Sequence, residues 1–369
     1  MRRIPVSLYF MWEWWEKYYH IHQPRPDFPG DDALDAMYLG RQRFLYAHFS
    51  AFGLGQSQPE MDGQYVNTVI RYGFDLIPVL LGVEIETIAA GGWQTRPVDE
   101  ARAWEMRPVD LRNSPEYDWL CAEIARKRAR YGSVSHCIDL GSAMNNAFRI
   151  RGQESYLDLL TEPELARHLF EVITETARSV YAFLREQFPP MDPVPISNCN
   201  VTMLSPATYE EHVLPFDAEQ NRFCTSLTGA PPRAAVHHCD VPADTFFTAY
   251  RQLPGLASLQ AAITSDVARF KALCPESAFS AMINPQFMQE DPAVLHTHLV
   301  RALLAGADDC CLWNIDPTLT PEAVGTLLRT VEQACAEVDC LPVFSVVPFC
   351  WDEIEWAFPR YQPATRAMR

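Results

Sequence analysis

The sequence predicts a (β/α)8 barrel of the TIM type in a single domain, and three observations lead to this fold class. The length of 369 residues suits one large α/β barrel. Short apolar runs end in polar residues and alternate with helical patterns. The runs are continuously apolar rather than alternating, as expected of parallel strands that are covered on the outside.

Eight runs are the predicted strands of this barrel. In chain order they are RIPVSLYF, FDLIPVLLGV, GSVSHCI, PVPISNCN, RAAVHHC, GLASLQ, AFSAMIN and DCCLWNI. A doubly wound open sheet is the alternative architecture. That fold usually has a GxGxxG turn after its first strand, and the sequence has no such turn there.

The segments between the later strands carry helix start signals. In ESYLDLLTEPELARHLFEVITET, Thr161 is placed to cap the helix that Pro163 opens. In TPEAVGTLLRTVEQACAEV, Thr320 is the expected cap and Pro321 the first helical residue. The barrel is therefore predicted over residues 1–339. Residues 340–369, rich in proline and aromatic residues, are predicted to pack across it as an irregular C-terminal segment.

Charge and cysteine content narrow the class of partner and the compartment. The net charge of −17 argues against nucleic acid or an anionic membrane, because their phosphates would be repelled. Eleven cysteines occur without a secretory signal, and an odd number cannot all pair internally. No uncharged apolar run reaches the length of a membrane-spanning helix. We therefore expect a cytoplasmic protein with free thiols.

The clearest candidate site lies at the end of the fifth predicted strand, in RAAVHHCD. Side chains alternate along a strand, so His237 and Cys239 share one face and His238 points to the other. An imidazole nitrogen and a thiolate at a barrel mouth suit Zn2+. The alternative interpretation is a buried cysteine beside a core histidine.

The sequence leaves the third zinc ligand open among Asn314, Asp316 and Cys310. If Asn314 faces the mouth, Cys310 lies about two layers below it and Cys311 points outward to the helices. Asp316 is the more usual zinc ligand of the two residues near the strand end, since asparagine is a poor one.

Other polar residues follow predicted strands and are candidates for binding a small substrate at the mouth. Glu84 follows the second predicted strand, Asp139 the third, and Asn198 and Asn200 end the fourth. Asn314 is the candidate on the last strand. Solvated carboxylates are a common alternative for a loop residue such as Glu84.

Several motifs resemble the uroporphyrinogen decarboxylase superfamily over about residues 4–338. They are IDLGSAMNNAFRIRGQESYLDLLTEPELARHLFEVITET, NVTMLSPATYEEHVLPF, VHHCD, AMINPQ and GADDCCLWNIDPTLTPEAV. The resemblance implies a TIM-type barrel, in agreement with the strand count.

Within that superfamily, the sequence is more similar to the corrinoid-dependent methyltransferases than to the decarboxylases. The decarboxylases carry R-x-x-G-R after the first strand, where this sequence reads FMWEWWEKYY and has no arginine. The methyltransferase branch binds zinc through H-x-C and a later cysteine, so the resemblance assigns His237 and Cys239 as ligands. It puts Asn314 in place of the later cysteine and Asp240 in place of a glycine.

The function expected from these observations is zinc-dependent methyl transfer between a corrinoid and a small-molecule donor or acceptor. The corrinoid is methylcobalamin or is carried on a small corrinoid-binding protein, and His237 and Cys239 are the predicted catalytic and metal residues. Two alternatives remain: a metal-free decarboxylase or lyase acting on a small acid or a tetrapyrrole-like substrate, and a non-catalytic ligand-binding barrel.

Overall fold

Eleven strands and fifteen helices position the candidate site in the computed structural model. It describes residues 1–20, 31–61, 68–69, 72–87, 93–136, 138–189, 192–239 and 241–347. The strands are β1 (Arg2–Phe10), β2 (Thr68–Val69), β3 (Ile85–Thr87), β4 (Trp93–Thr95), β5 (Ser135–His136), β6 (Val194–Ser197), β7 (Ala234–His237), β8 (Leu256–Ala262), β9 (Ala278–Ile283), β10 (Asp309–Ile315) and β11 (Cys340–Val346). The helices are α1 (Trp12–Tyr19), α2 (Asp31–Phe49), α3 (Leu76–Leu80), α4 (Glu100–Glu105), α5 (Pro115–Tyr131), α6 (Ala143–Arg151), α7 (Glu154–Thr161), α8 (Pro163–Gln187), α9 (Pro206–Thr208), α10 (Leu214–Ser226), α11 (Phe247–Tyr250), α12 (Val267–Leu273), α13 (Pro285–Met288), α14 (Pro292–Leu304) and α15 (Pro321–Glu337).

The main sheet contains seven parallel strands in the order β11-β1-β10-β9-β8-β7-β6. Strands β2 and β5 form a separate parallel pair, and β3 and β4 form an antiparallel hairpin. The fold is therefore mixed α/β with a large parallel sheet. The strands of the described residues do not close into one barrel.

Seven of the eight predicted strands are confirmed, and the prediction for FDLIPVLLGV is wrong. Gly73–Asp75 form a 3-10 turn there and Leu76–Leu80 form the short helix α3. A short buried apolar run cannot be distinguished from a buried helix by its pattern alone. Pro78 is compatible with the helix, because the first turn of a helix has no internal partner for its N–H groups.

The C-terminal segment begins as a strand instead of the irregular structure expected. Cys340–Val346 pair in parallel with β1 along seven consecutive residues, from Arg2 to Leu8. Residues 348–369 lie outside the described part of the chain.

Of the two predicted helix caps, Thr320 is confirmed and Thr161 is wrong. Thr320 accepts a hydrogen bond from the backbone N–H of Ala323 at 3.2 Å, so it caps α15. Thr161 instead ends α7 and donates to the carbonyl of Leu157, and Glu162 precedes α8. None of the described helices combines the length and the apolar character that crossing a membrane requires.

Candidate metal centre

Two neighbouring strands bring three metal-binding side chains to the same edge of the sheet. Ser197 of β6 lies opposite His237 of β7 in the parallel register. Cys199 and Cys239 each come two residues after these partners. Because the carboxyl ends of parallel strands meet at one edge, both cysteines lie beside the His237 ring.

Cys199, His237 and Cys239 form a group whose ligand atoms all lie within 4.8 Å of one another. The Nε2 atom of His237 is 2.7 Å from the Sγ atom of Cys239. Cys239 is buried, whereas Cys199 and His237 are half-buried. The group is therefore open to solvent or to a ligand on one side.

The His237 ring is held by contacts on its Nδ1 edge and from a neighbouring aromatic ring. Nδ1 lies 2.5 Å from the Oε1 atom of Gln260, so an N–H on Nδ1 donates to that oxygen. The lone pair of the ring is then on Nε2, the atom that faces Cys239. The ring of Trp313 lies 4.9 Å from the imidazole, centroid to centroid.

The thiol of Cys199 is suited to act as a thiolate ligand. Hydrogen bonding to Cys239 lowers the pKa of Cys199 well below its usual range, against the effect of burial, and contacts with His237 and Asn145 act in the same direction. A thiolate is the form of cysteine that binds metal ions.

The donor set of this group fits Zn2+. Two thiols and one imidazole nitrogen are the atoms that zinc binds in proteins, and catalytic sites use three protein ligands with a fourth position for substrate or water. The lone pair on Nε2 of His237 and the lowered pKa of the Cys199 thiol both favour metal coordination.

The third member of the group is Cys199, which the sequence prediction did not include among Asn314, Asp316 and Cys310. Asp316 accepts hydrogen bonds from the backbone N–H of Thr318 and from Gln289. Cys310 belongs to the hydrophobic core, where burial raises the pKa of its thiol.

The side chains at the start of the last strand, β10, point to the opposite faces from those predicted. Trp313 stacks on Tyr9 with ring centroids 4.6 Å apart and also faces His237. By alternation Cys311 shares this face, so it does not point outward as predicted. The pairing of β10 with β1 becomes irregular after this point. Residues 8–10 of β1 lie opposite residues 312–315 of β10, so β10 contains one extra residue there. Asn314 lies in this irregularity, is buried, and has a φ of 60°.

Asp139, one of the residues predicted to bind substrate, hydrogen-bonds to the strand partner of His237. It accepts hydrogen bonds from the Ser197 hydroxyl at 2.5 Å and from the Gly141 N–H at 2.8 Å. Burial raises the pKa of Asp139, and those hydrogen bonds oppose the rise. The charge of Cys199 raises the pKa of Asp139 further, and the charge of His237 lowers it.

Asn198 and Asn200 have partners within the protein. The amide of Asn198 is fully buried and donates to Asp217 at 2.9 Å. The Asn200 carbonyl accepts from the Tyr156 hydroxyl at 3.1 Å, and its N–H donates to Asn145 at 3.0 Å.

Glu84 lies just before β3, the first strand of the β3–β4 hairpin. Its side chain is 72% exposed and forms a salt bridge of 2.7 Å with Arg96. Glu86 contacts the same arginine at 3.3 Å. Asp240, the residue in place of a glycine after H-x-C, lies outside the described residues.

Comparison with known proteins finds likeness in structure alone. No protein-family model matches the chain, and no curated protein matches it in sequence. A solved structure of a methyltransferase from Methanosarcina mazei superposes with a TM-score of 0.61 at 13% identity, covering 90% of this chain and 94% of that one. At this identity the likeness establishes a shared fold.

Proposed function

We propose that this protein is a metal-dependent methyltransferase that moves a methyl group between a corrinoid and a small-molecule donor or acceptor. The observation that carries the proposal is the group formed by Cys199, His237 and Cys239 at the carboxyl edge of the sheet. The fold shared with a methyltransferase over nine-tenths of the chain supports it.

We further propose that the chain is one (β/α)8 barrel, with a C-terminal addition. Strands β1, β2 and β5–β10 are the eight that would follow barrel order along the chain. Because β11 pairs with β1 at one edge of the main sheet, closure through the β2–β5 pair would give a ring of these eight strands with β11 as an added ninth. The metal-binding group would then lie at the mouth, where such barrels carry their chemistry.

The proposed metal is Zn2+, held by Cys199, His237 and Cys239. When bound, it would supply positive charge that stabilises a deprotonated acceptor or polarises the heteroatom of a methyl donor. The protein's own residues define the rest of the site. Gln260 fixes the orientation of the His237 ring, and Asp139 offers a half-buried carboxyl group beside Ser197 to orient a small polar substrate.

The co-substrate in this proposal is methylcobalamin, free or carried on a small corrinoid-binding protein of the same cytoplasmic compartment. The net charge of −17 disfavours phosphate polymers as partners.

The test combines metal analysis with a corrinoid assay. We expect about one Zn2+ per chain. We also expect spectral loss of methylcobalamin with at least one member of a panel of thiols and reduced folates. The reverse assay offers cob(I)alamin with methoxylated aromatics or methylamines. His237→Ala should abolish both metal binding and turnover, whereas His298→Ala, on α14, should change neither.

Two results would reject the proposal. One is a wild-type protein that binds no Zn2+ after supplementation. The other is a zinc-loaded protein that transfers no methyl group in either direction but decarboxylates uroporphyrinogen or a small acid, which would favour the decarboxylase alternative.

A further inference from the structure

Five polar residues lie side by side across five strands of the main sheet. In the parallel register Ser197 lies opposite His237, His237 opposite Gln260, Gln260 opposite Ser280, and Ser280 opposite Asp309. We call this set the polar row. Because partners in register point to the same face, all five side chains lie on the face that carries the metal-binding group.

Hydrogen bonds connect four members of the polar row in sequence. His237 Nδ1 is 2.5 Å from Gln260 Oε1, and Gln260 Nε2 is 3.5 Å from the Ser280 hydroxyl. Ser280 in turn donates to Asp309 Oδ1. The chain therefore runs from the imidazole ring to a carboxylate three strands away.

The carboxylate at the end of this chain determines the direction of every bond in it. An ionised carboxylate can only accept, so the Ser280 hydroxyl must donate to Asp309. The Ser280 oxygen is then left to accept from the amide N–H of Gln260. That orientation turns the Gln260 carbonyl oxygen toward His237, and the oxygen requires a proton on Nδ1.

Without a group at its end that can only accept, this series of hydrogen bonds has a second possible arrangement. The Gln260 amide can rotate by half a turn, so that its oxygen accepts from Ser280 and its NH2 group donates to Nδ1. The proton of His237 would then sit on Nε2, the atom that faces Cys239 at 2.7 Å. That tautomer cannot bind a metal through Nε2.

We propose that Asp309 is a positioning residue for the metal centre: through Ser280 and Gln260 it fixes the tautomer of His237 whose Nε2 carries no proton and can therefore bind the metal ion. The effect on metal binding rests on the proposed function, whereas the tautomer can be measured in the metal-free protein. Burial raises the pKa of Asp309, and the hydrogen bond from Ser280 opposes that rise.

The test measures the tautomer and the metal affinity separately, at pH 7.5 in the full chain. The 15N shifts of labelled histidine in metal-free protein report the tautomer, with His237 assigned by its loss in His237→Ala. Asp309→Asn has the same shape but can donate or accept, so it should convert one tautomer into a mixture. Zn2+ affinity, measured by competition with a chelator, should fall about 3- to 10-fold. Gln260→Ala should cost about 10- to 100-fold, because it removes the direct partner.

Two further variants separate this role from a general loss of structure. Asp308→Asn removes the neighbouring carboxylate, which binds Lys271 outside the polar row, and should leave tautomer and affinity unchanged. Gln260→Glu puts an acceptor-only group directly on Nδ1 and should make the tautomer insensitive to Asp309→Asn.

The inference is overturned if Asp309→Asn keeps the wild-type tautomer, or if Asp308→Asn changes tautomer and affinity as much as Asp309→Asn does. A wild-type chain that binds no Zn2+ would instead reject the proposed function, and the 15N measurement would still decide the role of Asp309.

Discussion

His237 Nε2 and Cys239 Sγ lie 2.7 Å apart, and only His238 separates the two residues in the chain. Strand β7 ends at His237, so the backbone turns just where the two side chains must converge. The third ligand of the group, the Cys199 thiol, follows the neighbouring strand β6, and this makes Cys199 the residue whose removal is most informative.

We expect Cys199→Ser to lose most of its bound Zn2+, because a serine hydroxyl is a poor substitute for a thiolate with this ion. Metal content after gel filtration is the measurement. Cys121→Ser, on α5 and outside the group, should retain the metal, as should Asn314→Ala and Asp316→Ala. Normal zinc in Cys199→Ser together with loss in Asp316→Ala would show that the third ligand is Asp316, one of the candidates that the sequence leaves open.

The shared face of His237 and Cys239 is predictable from strand alternation, but alternation within the adjacent strand does not show which of its faces meets them. The sequence predicts Asn198 and Asn200 at the mouth, whereas the register that pairs Ser197 with His237 puts Cys199 level with Cys239. Alignment of VPISNC with AAVHHC by their apolar runs gives the same placement of Cys199. Only the pairing of two strands distinguishes the faces, and one strand's pattern does not.

Burial of an ion pair near α6 gives a second prediction. Arg151 donates to both oxygens of Asp158, at 2.9 and 3.1 Å, and both side chains are only 7% exposed. Asp158→Ala would leave a buried, uncompensated charge, so the free energy of unfolding should fall by about 3–5 kcal/mol. Urea denaturation measures this change.

An exposed pair is the control for that prediction. Glu186 contacts Arg112 at 2.5 Å, but their side chains are 54% and 43% exposed. Glu186→Ala should therefore cost at most about 1 kcal/mol, since water screens the pair. Equal losses in Asp158→Ala and Glu186→Ala would show that burial does not determine the value of these ion pairs.

Asp217 should make stability depend on pH in an unusual direction. Burial raises its pKa from 3.8 to about 6, although Asn198 and Tyr209 donate to it at 2.9 and 2.8 Å. Between these two values the folded chain binds more protons than the unfolded chain, so this group destabilises the fold as the pH rises from about 4 to about 6. The contribution is on the order of 3 kcal/mol and is constant above that range.

The comparison of wild type with Asp217→Asn isolates the contribution of Asp217 ionisation to the free energy of unfolding, because asparagine keeps an oxygen that can accept both hydrogen bonds. Denaturation at a series of pH values should show the wild type losing stability relative to Asp217→Asn between pH 4 and pH 6. Asp118→Asn, at an exposed carboxylate, should run parallel to the wild type. A constant difference between wild type and Asp217→Asn would contradict the assignment.

Seven of the eleven strands described could be predicted from apolar runs, and two of the errors have clear physical causes. The segment FDLIPVLLGV is apolar and buried in either conformation, so burial alone could not separate α3 from a strand. Residues 340–369 are predicted to be irregular because they are rich in proline and aromatic residues. Pro342 lies on the β11 edge strand, where a missing N–H costs little.

The last prediction concerns Trp313, which packs between the first strand and the metal-binding group. Its ring stacks on Tyr9 at 4.6 Å and lies 4.9 Å from the His237 ring, so it restricts the motion of the imidazole from the side. An aromatic pair contributes about 0.5–1.5 kcal/mol, so Trp313→Ala should weaken Zn2+ binding about two- to tenfold. Trp313→Phe keeps a stacking ring and should retain most of the affinity. Chelator competition measures both variants, and circular dichroism checks that each is folded. Wild-type affinity in a folded Trp313→Ala protein would show that Gln260 alone is sufficient to orient His237.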